Sequence, residues 1–177
     1  MPRISRRMIR CTSFKLVNLL TKKILFVCLG NICRSPAAEG VLHTIAQRSQ
    51  ADIQVDSAGT SSFHIGEPAD KRMRAAAAKR GYDLTSRSRM VTRRDFSEFD
   101  LVIAMDRNNY RELSILAGGT TRKLKMLSDF LGEDWPRDVP DPYYGGDDGF
   151  EKVLDMLEAA CPKILDTLTT ETGSSPA

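Results

Sequence analysis

Cysteine is scarce in this chain, with four in 177 residues (Cys11, Cys28, Cys33 and Cys161). A disulfide-stapled secreted scaffold is far denser, so the pattern predicts free thiols in a reducing compartment. Long apolar runs are missing as well. None approaches the roughly 20 residues of a membrane span, which excludes stable membrane insertion. Histidine is sparse (His43 and His64), and neither shares a ligand-spaced motif with the cysteines. Zinc hooks pair cysteines two to four apart and need a second pair, so a structural metal is not expected. Acidic residues are absent from residues 1–23, which carry seven basic side chains. The rest of the chain holds 19 basic residues against 23 acidic ones. The basic excess therefore belongs to the leader and not to the body, which argues against a nucleic-acid partner.

What is present suits one α/β domain. Apolar residues make up 41% of the chain, enough for a core. Residues 23–28 (KILFVC), 53–57, 100–105 and 122–127 read as strands. Residues 35–48 form a helix with one apolar face, Pro36 sitting just inside its start. Further helices are expected at 69–80 and 107–116. A last one follows Asp148 as N-cap, with Glu151 closing a capping box and Pro162 kinking it. Between residues 132 and 149 the composition predicts a loop. Alternating strands and helices mean βαβ units, a parallel sheet and helices on both faces. The expected fold is a three-layer α/β/α sandwich on a four-stranded parallel sheet, with a phosphate-binding loop after strand 1. Residues 1–22 form a basic extension, 23–169 the domain and 170–177 a frayed tail. The extension reads as an organelle transit peptide, or as a basic tail or an early start codon. Without import the expected location is the cytoplasm.

Ligands of such sheets bind at the carboxyl ends of the strands, and Cys28 ends the first one. Five residues then lead to Arg34 at a helix start: CLGNICRSP. A nucleotide P-loop would need Gly-Lys-Ser/Thr, and here arginine precedes Ser35. The loop is short enough to curl around one tetrahedral anion, its N–H groups forming a nest at a helix N-terminus. Gly30 and Asn31 tolerate left-handed backbone, and Arg34 can grip two anion oxygens with its planar fork. The same positive field favours a thiolate at Cys28, to which Ser35 can donate a hydrogen bond. A buried cysteine and a solvated arginine alone would not predict Gly, Asn, Arg, Ser and Pro at these offsets.

The stretch Val27–Glu39 (VCLGNICRSPAAE) resembles the signature of the low-molecular-weight protein tyrosine phosphatases. A second match lies at Asp141–Phe150 (DPYYGGDDGF), and the likeness extends over about residues 22–168. Asp-Pro by itself is a common turn starter; with the cysteine loop it gains a chemical reading. The resemblance implies a hydrolase that cleaves phosphotyrosine in proteins, and small aryl phosphates, without a cofactor or metal. By that resemblance Cys28 is the nucleophile, and Arg34 with the loop Leu29, Gly30, Asn31, Ile32, Cys33, Arg34 and Ser35 holds the phosphate. Asp141 is the general acid, while Leu29, Phe63 and Tyr143 wall the cleft. Cys33 either packs under the loop or forms a protective disulfide with oxidised Cys28. The partners implied are phosphotyrosyl proteins or peptides, with phosphate as product, and the chain is expected to be a monomer. Tyr143 and Tyr144 are candidate phosphorylation sites. Protein-arginine phosphatases share the loop but commonly carry threonine where this chain has Ile32. Arsenate reductases of this fold need two downstream relay cysteines, and only Cys161 lies downstream. A phosphate-binding module without catalysis is the remaining class, and the full set of reactive groups argues against it.

Overall fold

The computed structural model describes residues 21–119 and 122–170, so the expectations for most of the basic extension and for the tail after Thr170 lie outside the described residues. Strands β1 (Lys22–Cys28), β2 (Ile53–Gly59), β3 (Leu101–Ala104) and β4 (Leu124–Met126) form one sheet. Its order is β2-β1-β3-β4, and every neighbouring pair is parallel. Helices α1 (Arg34–Arg48), α2 (Lys71–Lys79), α3 (Asp95–Glu98), α4 (Arg107–Leu116) and α5 (Asp147–Thr170) connect and cover it. This is the expected α/β architecture.

β1 shows why the sheet is buried on both sides. Ile24 and Phe26 belong to a large apolar cluster that takes in Val41 and Leu42 of α1 and Val153, Leu154 and Leu157 of α5. Leu25 and Val27 point the other way, into a smaller cluster with Val102, Ala104, Leu113 and Leu124. A strand alternates its side chains between faces, so a continuous apolar run is what a two-sided core requires. The β1–α1–β2 crossover leaves β1 to one side, and β3 returns to the other. The crevice at the carboxyl ends of β1 and β3 is thus the switch point of the sheet, where this architecture binds ligands.

Several boundaries differ from expectation by one or two residues, as helix and strand ends commonly do. α2 starts at Lys71 because Asp70 caps it, accepting from the Arg72 amide at 2.8 Å. α5 begins at Asp147, so Asp148 is its second residue and not its N-cap. Glu151 is correspondingly no capping-box partner, and its carboxylate accepts instead from Arg80 of the α2 end. α5 continues through Pro162 to Thr170, so the proline does not end it. The short α3 was not expected from the sequence; four residues are too few to show a period.

One glycine lets the site form. A Cβ on Gly59, at the end of β2, would lie 2.7 Å from the Leu29 carbonyl oxygen and 3.2 Å from Asn31 Cβ. The loop after β1 lies directly against this backbone, with Thr60 N donating to the Cys28 carbonyl at 2.9 Å and Ser61 N to that of Leu29 at 3.0 Å. Backbone on backbone cannot give way cheaply. Gly59→Ala should therefore destabilise the fold by about 1–3 kcal/mol, the usual cost of overpacking, read as a lowered midpoint in urea unfolding. An unchanged midpoint would mean the loop is free to move aside.

Candidate active site

β1 delivers Cys28 to the sheet's carboxyl edge, and residues 29–33 curl from it to the first turn of α1. Asn31 adopts φ 53°, the left-handed conformation that asparagine tolerates better than most residues. Gly30 was expected to share that conformation, but it is not among the positive-φ residues. It matters for space instead, since a Cβ there would sit 3.1 Å from His64 Cδ2.

Asn31 is the hub of the loop. Its amide nitrogen Nδ2 donates to Ser35 Oγ and to Ser57 Oγ, both at 2.9 Å. Its Oδ1 accepts from the Arg89 backbone at 2.9 Å. Its own backbone N–H points at the Cys28 sulfur, 3.3 Å away. Ser35 Oγ lies 3.1 Å from Cys28 Sγ and 3.2 Å from the Ala58 carbonyl. A hydroxyl has one proton, and with Asn31 donating to it, Ser35 can give that proton either to the Ala58 carbonyl or to the Cys28 sulfur. Ser57 in turn donates to Glu39 at 2.6 Å. Burial pushes the Glu39 carboxyl up from its ordinary value, and bonds from Ser57 and Ser86 only partly offset this. A chain of buried polar groups thus runs from the sulfur to α1.

Arg34 is 3% exposed and is met by two carboxylates. Nη1 pairs with Asp106 at 2.6 Å and also donates to the Val139 carbonyl at 3.2 Å. Nη2 pairs with Asp141 at 3.1 Å. Burial works against the Arg34 charge, but the negative charges of Cys28, Asp141 and Asp106 outweigh it and raise the guanidinium above its ordinary value. Asp141 opens a turn at Pro142–Tyr144 and accepts from the Tyr143 N–H at 3.1 Å. The approach to that turn is tied to β3 by a bond from Val139 N to the Met105 carbonyl, 2.9 Å. Asp141 lies 107 residues beyond Arg34 and reaches it only through this fold.

These groups line a cleft of about 380 Å³. Cys28, Leu29, Gly30, Ile32, Cys33, Arg34, Phe63, Asp141 and Tyr143 all line it. Asn31 and Ser35 stand behind the loop, in the network just described. Leu29, Tyr143 and above all Phe63 (86% exposed) form an open apolar rim. Cys33 is buried at the head of α1, and burial together with the nearby Asp70, Cys28 and Asp141 pushes its thiol up to about 12. Sequence reasoning missed four participants: Asp106, Ser57, Glu39 and His64. Asp106 carried a readable signal, because it lies two residues past β3 at the edge where chemistry was expected and caps α4 through the Asn109 N–H at 2.7 Å.

A sulfur beside an anion-sized loop, a guanidinium fork and a carboxylate across the cleft define a site fitted to a tetrahedral oxyanion. The family model described as low molecular weight phosphotyrosine protein phosphatase matches residues 23–174. The chain belongs to that family. It is 50% identical over 155 residues to a putative low molecular weight protein-tyrosine-phosphatase of Synechocystis, spanning 84% of this chain and 98% of the relative. The crystal structure of a protein tyrosine phosphatase from Entamoeba histolytica superposes with a TM-score of 0.81 at 44% identity, covering 86% of this chain and 99% of that one. The arginine phosphatase YwlE of Bacillus subtilis is also similar in structure, with a TM-score of 0.76 and 28% identity, covering 84% of this chain and 97% of its own.

Two expectations follow. Asn31→Ala removes donors to two buried hydroxyls and should cost about 1–3 kcal/mol of stability by leaving them unsatisfied, together with a fall in turnover; a normal kcat would show that the loop holds its shape without the hub. Cys33 remains a buried thiol through the neutral range, so iodoacetamide at neutral pH should label Cys28 and spare Cys33 in the folded protein. Equal labelling of both by peptide mapping would contradict this placement.

Proposed function

We propose that the chain hydrolyses phosphotyrosine in proteins, and small aryl phosphates, through a cysteinyl-phosphate. The observation that carries this reading is the convergence of the Cys28 sulfur, the Arg34 fork and the Asp141 carboxylate in one cleft with an aromatic rim. The Cys28 thiolate attacks phosphorus, forming an S–P bond as the P–O bond to the phenol breaks. Asp141 gives its proton to the departing phenolate. Arg34 and the loop N–H groups hold the equatorial oxygens, whose charge must be stabilised in the transition state. To do so the Arg34 Nη2 donor passes from Asp141 to phosphate, which frees the carboxyl to face the leaving group. Water then attacks phosphorus, Asp141 takes its proton, and the S–P bond breaks to release phosphate and the thiolate. Ser35 stabilises that thiolate on departure. These residues supply nucleophile, acid and charge stabilisation by themselves.

Leu29, Phe63 and Tyr143 suit a flat ring held over the loop. Ile32, a branched apolar residue at the position that is commonly threonine in protein-arginine phosphatases, favours the phosphate ester over the phosphoramidate. Cys161 is fully buried in the core, which speaks against a cysteine relay of the arsenate-reductase kind. All the reactive groups come from one chain, which supports activity as a monomer. Free thiols in the site suit a reducing compartment such as the cytoplasm. Under peroxide, Cys28 would become a sulfenic acid, and condensation with the Cys33 thiol would form a disulfide with loss of water.

The test compares phosphotyrosyl peptide, p-nitrophenyl phosphate and phosphoarginine. Wild type should turn over the first two and leave the third nearly untouched; preferred cleavage of phosphoarginine would move the chain to the runner-up class. Cys28→Ser should abolish turnover yet retain and trap phosphotyrosyl protein. Asp141→Asn should lower kcat/KM, which reads the first step, on a poor leaving group by about 100-fold or more, the usual worth of a general acid, and on an activated aryl phosphate far less. Equal losses on both substrates would remove Asp141 from the acid role.

A further inference from the structure

Arg72, in the first turn of α2, is outside the reactive set but joins its two halves. Its Nε and Nη2 fork onto the Asp70 carboxylate at 3.1 and 2.9 Å. Nη2 also donates to the Tyr143 carbonyl at 3.3 Å, across 71 residues. The guanidinium carbon lies 5.5 Å from the centroid of the Tyr143 ring and 5.0 Å from that of Phe150, so the cation sits between two aromatic groups. Phe150 is a buried anchor on α5, whereas Tyr143 is partly exposed at the cleft rim. Asp70 is itself tied to the phosphate loop, its N–H donating to the Ile32 carbonyl at 2.7 Å. A continuous path therefore runs from Ile32 through Asp70 and Arg72 to Tyr143, two residues beyond Asp141.

We infer that Arg72 is a positioning residue that clamps the Asp141–Tyr144 turn to the phosphate loop and so sets where the general acid stands. The inference rests on the phosphatase reading above. Arginine suits the task because its planar fork and flat face bond a carboxylate and stack on rings at once; lysine does neither in the same way. The Tyr143 N–H donates to Asp141 Oδ1, so a shift of Tyr143 is passed directly to the carboxyl. The nucleophile and Arg34 stand on β1 and α1, which the clamp does not carry. Loosening it should misplace the acid and leave the first attack on phosphorus nearly intact.

The experiment measures Arg72→Lys, Arg72→Met and Asp70→Asn on an activated and a poor leaving group, p-nitrophenyl phosphate and phenyl phosphate. Asparagine still caps α2, so the last variant removes the ion pair without removing the helix start. Arg72→Met should lower kcat/KM, which reads formation of the cysteinyl-phosphate, on phenyl phosphate on the order of tenfold, less than the ~100-fold that a misplaced catalytic group can cost, and kcat/KM on p-nitrophenyl phosphate by less than about threefold. Arg72→Lys and Asp70→Asn should fall between wild type and Arg72→Met. Arg74→Met, which loses only a bond to the Ala69 carbonyl at 2.9 Å, serves as the control and should match wild type. Hydrogen exchange read by mass spectrometry should rise across residues 139–146 in Arg72→Met and stay unchanged across residues 24–34. Equal losses on both substrates, no loss, or unchanged exchange at 139–146 would each overturn the inference. Wild type that hydrolyses neither substrate would sink the phosphatase reading instead, and the exchange result would then decide alone whether the clamp exists.

Discussion

The buried charge of Arg34 is the constraint on which the rest of this site depends. A guanidinium with 3% of its surface exposed is costly unless its donors are met. Three elements meet them. Asp106 comes from the end of β3, the Val139 carbonyl from the segment beyond β4, and Asp141 from the turn before α5. One side chain thereby draws together both sides of the sheet's switch point. The same arrangement keeps the charge available. Asp106 is bound through Nη1 at 2.6 Å, while Asp141 is bound through Nη2 at 3.1 Å and is more open to solvent. The Asp106 contact is the shorter and more buried of the two.

The loop opposite Arg34 follows the other rule for buried polarity, that every group finds a partner. Asn31 spends its side chain on Ser35, Ser57 and the Arg89 backbone, and its N–H on the sulfur. The sulfur therefore faces donors already held in place, so little reorganisation is needed when it carries charge. Gly59 contributes only by lacking a side chain, which allows β2 to lie against the loop. Rigidity on this side contrasts with the rim, where Phe63 and Tyr144 project into solvent. A hard anion cradle beneath an open aromatic mouth fits a substrate class with one invariant group and variable surroundings.

Local sequence carried a large part of this. The run ILFV in β1 must be buried on both faces, and a strand of that kind followed by an amphipathic helix implies a parallel sheet. Cysteine, loop and arginine are contiguous, so their chemistry was legible from spacing alone. Legibility ended where a position depends on partners remote in the chain. Asp141 reads as a turn residue until a likeness to known proteins gives it a role. Ser57 and Glu39 carry no motif at all; their importance comes from which atoms they face, and Asp106 offered only its place just past β3. The capping role expected for Asp148 failed because α5 already begins one residue earlier, at Asp147, a boundary that local composition does not fix.

By itself the sequence determined the α/β class, the place of Cys28 at a strand end and the anion-holding character of residues 28–35. Those are consequences of short-range pattern: period, spacing and helix-terminus electrostatics. Only the tertiary structure decided that Asn31 and not Gly30 takes the left-handed turn, that Arg34 is forked between Asp106 and Asp141, and that Arg72 and Asp70 link the Asp141–Tyr144 turn to the loop after β1. Each of those depends on which groups distant in the chain the fold brings together. That choice is made by the crossing of chain segments and not by any residue's neighbours in sequence.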